Sequence, residues 1–267
     1  MKNRIFSTDS PKAIKSIKYG WLNAIHYLAP HSLSGKDLCS HASIECIKHC
    51  LGWHSGQAAM VKHDFELNNV RQSRIDKAQR FMTDRKNYMN DVIISIANEA
   101  KKAKKEKMQL CVRLNGSSDI AWEGIAVAID AKLALRLMYQ FNRLFRIGVY
   151  KNIMTLFEEL QFVDYTKNAS RLYRALPKNY HLTLSRHEKN ESEAIKALND
   201  GFNVAVIFDQ LPTHWHGFPV INGDQHDLIH LHPQGGHIVG LVPKGNKLKK
   251  SNSGFVVRGY QEFRKVA

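Results

Sequence analysis

Alternating strand-like and helix-like segments predict an α/β fold, a partial or complete β/α barrel with mostly parallel strands. Three observations predict it. Short apolar runs recur along the 267 residues. Helical spacing fills the intervals between them, and polar turn residues follow each run. With 43% hydrophobic residues the chain can fill a sizeable core. No internal repeat or linker divides it, so residues 21–267 are expected to form one domain behind a basic, loosely held arm at 1–20.

Trp21 to Pro30 is apolar and stops at a proline, as suits a buried strand. From Asn68 to Lys105 the residues are nearly free of Gly and Pro. Phe81, Met82, Tyr88, Met89, Val92, Ile93 and Ile96 fall at helical spacing, with a break expected near Thr83-Asp84. Gln109 to Asn115 is the next strand, and Cys111 within it is expected to point into the core. Residues 120–148 are helical in composition, and Tyr150 to Leu160 forms a further amphipathic helix. Gln161–Tyr165, Tyr180–Leu184 and Asn203–Phe208 are strands, and Glu191–Asn199 is a helix closed by Gly201. In parallel α/β folds function gathers at the C-terminal strand ends. The cysteine loop described next, Asn115 to Asp119, Asp164 to Asn168, Ser185 to Glu188 and Asp224 to Asp227 are therefore expected around one mouth.

Residues 39–50 hold three of the four cysteines, Cys39, Cys46 and Cys50. Cys46 and Cys50 share a face of a helical turn, and a loop can fold Cys39 onto the same point. A structural zinc site closes with four ligands, and His41, His49 or His54 would supply the fourth. An iron–sulfur cluster on three thiolates keeps one iron open. Three unligated cysteines are the plain alternative. In a reducing compartment such bunching points to metal rather than to a disulfide framework. No stretch is apolar enough for a signal peptide or a membrane span, so the protein is expected in the cytoplasm.

The net charge of +15, from 39 Lys and Arg against 24 Asp and Glu, suits a polyanionic partner, nucleic acid above all. Lys101–Lys107, Lys244–Lys250 and Lys12–Lys18 concentrate it. Histidines crowd 214–216 and 226–232. His230-Leu231-His232 would be the metal pair of a nicking endonuclease of the histidine–hydrophobe–histidine type, with Tyr260 as nucleophile. Such enzymes use an antiparallel sheet, which the alternating order here disfavours.

Several motifs in order carry a resemblance: Tyr19-Gly20-Trp21-Leu22, Leu28-Ala29-Pro30, the Cys-x6-Cys-x3-Cys loop, Val112-Arg113-Leu114-Asn115-Gly116-Ser117-Ser118-Asp119, Phe162-x-Asp164-Tyr165-Thr166-Lys167, and Gly217-Phe218-Pro219-Val220-Ile221-Asn222-Gly223-Asp224. Together they resemble the phage- and plasmid-encoded proteins grouped with mycobacteriophage gene product 88, over most of the chain. Residues 128–150 look like an insertion relative to that family. The three-cysteine loop before β and α units is in turn similar to radical S-adenosylmethionine enzymes, whose usual spacing is Cys-x3-Cys-x2-Cys. That likeness implies a [4Fe–4S] cluster on Cys39, Cys46 and Cys50, with S-adenosylmethionine on the open iron. It implies cofactor contacts from Asn115, Gly116, Ser117, Asp119, Ser185 and Arg186. Asp164, Lys167, Asp224 and Asp227 would face the substrate.

Overall fold

A computed structural model describes residues 4–260, and its strands form a nine-stranded sheet beside a separate two-stranded one. In chain order the strands are β1 (Phe6–Ser7), β2 (Trp21–His26), β3 (Gln109–Arg113), β4 (Val127–Ile129), β5 (Gly148–Tyr150), β6 (Gln161–Thr166), β7 (Tyr180–Ser185), β8 (Val204–Ile207), β9 (His214–Trp215), β10 (Phe218–Asn222) and β11 (Ile238–Leu241). The large sheet runs β1-β2-β3-β6-β7-β8-β11-β10-β9. Neighbours from β2 to β10 pair in parallel, and only the edge strands β1 and β9 are antiparallel. The mostly parallel α/β fold is thus present. Among the described residues no pairing joins β1 to β9, so the sheet is open rather than a complete barrel.

Burial on both faces explains why the central strands are continuous apolar runs instead of alternating ones. On one face Leu22, Ala24, Leu110, Val112 and Phe162 pack with Tyr88, Val92, Ile93 and Ile96 in the main core. On the other, Cys111 and Val163 meet Leu228 and Ile229, and Cys111 is indeed a buried core residue. The helical stretch breaks where expected. Helix Asn69–Thr83 ends at Asp84 and helix Arg85–Lys105 follows. Asn68 caps the first, its side chain accepting the Arg71 N–H.

Three stretches differ from their sequence reading. Residues 4–20 are not a loose arm: β1 pairs with β2, Phe6 is buried, and helix Pro11–Ile17 is capped by Ser10. Residues 120–148 are not one helix. They form a 3-10 turn, β4, helix Ala131–Phe141 and a loop into β5, and the expected helix at Tyr150–Leu160 shrinks to Ile153–Leu156. Asp130 caps the 131–141 helix and Asn142, in the left-handed region, ends it. His230 and His232 lie in and just after a 3-10 turn (Ile229–Leu231) instead of on a strand. No helix among the described residues is long and apolar enough to cross a membrane.

Candidate functional site

The cysteine loop leaves the C-terminal end of β2 and lies against the turn that follows β3. The Cys39 thiol donates to the Ser117 carbonyl at 3.7 Å and accepts the His31 N–H at 3.4 Å. The Asp119 N–H donates to the Leu38 carbonyl at 2.8 Å, and Ser117 Oγ donates to the Leu28 carbonyl at 2.6 Å. Gly52, two residues past Cys50, closes the approach. A Cβ there would stand 2.2 Å from Cβ of Ser117, so no larger residue fits without lifting the loop. Gly116 is equally confined, a Cβ meeting the His26 carbonyl at 2.6 Å.

Cys46 sits in a short helix, Ile44–Lys48, capped by Ser43. That cap is anchored to the loop after β7: Ser43 Oγ donates to Glu188 at 2.8 Å, and the Glu45 N–H donates to the same carboxylate at 3.4 Å. From the other side Leu248, Phe255 and Val256 of the C-terminal segment pack on Cys46. Cys50 begins the next turn, Leu51–His54, and Arg74 donates to the Gly52 carbonyl beside it.

Burial raises the pKa of all three thiols, Cys39 to about 12 and Cys50 to about 11, with Cys46 also raised. Cys39 is further raised by Cys50 and Cys46, and Cys50 by Cys46, so the three lie within electrostatic reach of one another. Lys167 opposes this at Cys46 and Cys50, and Arg74 does so at Cys50. Without a bound cation the pocket favours thiols; a metal would turn them into thiolates. Among the described residues no three His, Cys, Asp or Glu side chains are grouped as ligands of one metal ion would be. The histidines weighed as a fourth ligand have other neighbours: Ser40 for His41, Glu45 for His49 and Asp64 for His54.

The turns after β3, β6 and β7 come together beside the cysteine loop, but that of Asp224 to Asp227 does not join them, and several of the side chains are already engaged. Asn115 organises its own turn: its Oδ1 accepts from Ser118, the Ile120 N–H and Trp122, and its Nδ2 donates to Asp164 at 3.1 Å. Asp164, expected to face a substrate, lies fully buried beneath the mouth. It accepts from the Asn115 N–H at 2.7 Å and from Tyr180 at 3.0 Å, yet burial outweighs these bonds and raises its pKa to about 7. Asp119 accepts the Lys167 N–H at 2.8 Å and pairs with Arg171 at 2.6 Å. Lys167 Nζ donates to Ser185 Oγ at 3.0 Å. Arg186 grips the Gly254 and Phe255 carbonyls and Glu191, leaving only its Nε without a partner. It lines a cavity of about 440 Å³ with Glu191, Trp215, His216 and Tyr260.

Asp224 and Asp227 stand apart from the cysteines. Asp227 pairs with Lys12 at 3.1 Å and Arg113 at 3.4 Å, and Asp224 with Lys244 at 3.2 Å. The nicking-enzyme arrangement is not assembled. His230 packs on Trp21 and His181, whereas Tyr260 packs on His216 and accepts its N–H. Sequence reading included Glu188 among the rim turns but missed Arg74, Gly52 and the 248–256 segment as parts of the rim. Gly52 alone carried a local signal, a glycine two residues after a cysteine.

The family described as Gene product 88 matches residues 4–259. No curated protein and no solved structure matches the chain.

Proposed function

The chain belongs to the Gene product 88 family, and from that premise we propose a mobile-element-encoded iron–sulfur protein with radical S-adenosylmethionine-type chemistry, acting on or near nucleic acid. One observation carries the reading: three half-buried thiols on the loop that leaves the C-terminal end of β2, with Cys39 bonded to the turn after β3. Ligands of a single zinc ion must converge on one point, with sulfur about 2.3 Å from the metal. A cluster held by three thiolates takes one sulfur on each of three irons and leaves the fourth iron open. Three cysteine donors, with His41, His49 and His54 engaged elsewhere, suit a three-thiolate [4Fe–4S] cluster better than a closed four-ligand zinc cage. When bound, such a cluster would leave one iron for S-adenosylmethionine and supply one-electron chemistry.

The chain's own residues have definable tasks in this reading. Cys39, Cys46 and Cys50 would hold the cluster, while Lys167 and Arg74 offset thiolate charge. Asn115, Gly116 and Ser117 shape the backbone against which a cofactor rests. Asp119 fixes the Lys167 backbone and orients Arg171. Ser185, bound by Lys167, would meet a cofactor carboxylate together with that lysine. Arg186 would have to release part of its hold on the 254–255 segment to serve the same carboxylate. Lys167 is a substrate-side cation that acts on Cys46 and Cys50, and Asp224 and Asp227, held by Lys12, Lys244 and Arg113, belong to a separate wall.

Protein purified without oxygen should be brown and absorb in the sulfur-to-iron charge-transfer region, and Cys46→Ala should bleach it. Colourless protein carrying one zinc per chain would overturn the proposal and favour a zinc-stapled nucleic-acid-binding protein.

A further inference from the structure

Residues 127–150 form an excursion outside the nine-stranded sheet, and its two sides differ sharply. Inward, Val127, Ile129, Leu133, Leu137 and Phe145 join the main core. Outward, Leu135, Tyr139, Leu144, Ile147 and Val149 are exposed, Leu144 by 82% and Tyr139 by 77%. Large apolar side chains at this density on one short excursion mark an interaction surface rather than the scattered exposure normal for a protein. Lys132, Arg136, Arg146 and Lys151 are interleaved with them and exposed, and residues 131–157 contain no Asp or Glu. Arg143 is paired, to Glu159.

We propose that this face docks an acidic, apolar-tipped segment of a partner protein. Charge selects among the occupants. A second copy placed face to face would set Arg136 and Arg146 against the same cations, a like-charge arrangement that costs binding. Nucleic acid is met by phosphate contacts and stacked aromatic rings; here four of the five exposed apolar residues are aliphatic and would be left without that complement. A membrane-surface helix segregates a continuous apolar face from a charged one. Here the helix spends its apolar face on the core, and the outward residues alternate, as in Leu135-Arg136 and Arg146-Ile147. Apolar anchors among arginines, with a tyrosine, are the composition of a protein-binding surface.

The test uses the full chain and a labelled synthetic 18-residue helical peptide with leucines on one face and glutamates on the other, beside a twin carrying lysine for glutamate. Fluorescence anisotropy at low salt should show saturable binding of the glutamate peptide, at least tenfold tighter than its twin. Arg136→Glu with Arg146→Glu, and separately Tyr139→Ser with Leu144→Ser, should each weaken it tenfold or more, with circular dichroism and melting unchanged. Equal binding of both peptides, no binding, or displacement of the peptide by phosphatidylglycerol vesicles or duplex DNA would overturn the assignment. The cysteine site plays no part in it, so the outcome is independent of cluster content.

Discussion

Arg171 is fully buried and meets two carboxylates, Glu123 through Nε and Nη2 at 2.9 and 2.8 Å and Asp119 through Nη1 at 2.6 Å. Removing one partner of such a group strands the others without solvent. Arg171→Met should lower unfolding free energy by about 3–5 kcal/mol, read from the urea midpoint at constant slope. Buried histidine imposes a second residue-scale constraint. Burial lowers the pKa of His230 and His232 to about 4 from the usual 6.5, and His181 and His226 beside them are lowered too. A depressed folded pKa gives stability that is present above about pH 6.5 and drains away as pH falls through about 4, because the unfolded chain takes up those protons first. The melting temperature should fall over that window, and His230→Phe, which preserves the packing on Trp21, should shallow the slope. Asp164 runs the other way. Its raised pKa means that stability present below about pH 4 is lost as pH rises through about 7, so Asp164→Asn should remove that part of the pH dependence.

The element that matters most is the cysteine loop, and its placement rests on one close approach. Gly52→Ala would push Ser117 away and loosen Cys39 from the β3 turn, while the helix and strand cores stay untouched. Metal-free Gly52→Ala should therefore react faster than the unaltered protein with a thiol reagent at pH 8, with near-native circular dichroism. An unchanged rate would mean that the loop holds its seat by other contacts. The boundaries at 83–85 and 191–199 were legible in the sequence because glycine and apolar spacing act within a few residues. The 120–148 stretch was not. Its composition is helical, but β4 and β5 pair across the intervening helix, with Ala128 opposite Val149, and no local propensity registers a partner twenty residues away.

At the scale of the whole molecule the charge of +15 is a long-range property that any polyanion senses. Binding to duplex DNA should weaken steeply and log-linearly between about 50 and 200 mM salt. An affinity unchanged by salt would remove nucleic acid as a neighbour. The regular march of parallel strands from β2 to β8 puts the turns after β3, β6 and β7 on one rim, where the cysteine loop settles.

The sequence by itself determined the alternation of strands and helices, the basic balance and the bunching of three cysteines, since each is written in spacing and composition. Only the tertiary structure decided which polar residues stand free at the rim. Asn115, Asp164 and Arg186 read like ligands in isolation, yet buried polar groups must find partners, and the nearest ones here are parts of the same chain. The sheet's open edge, too, follows from how strands far apart in sequence pair, which no single segment encodes.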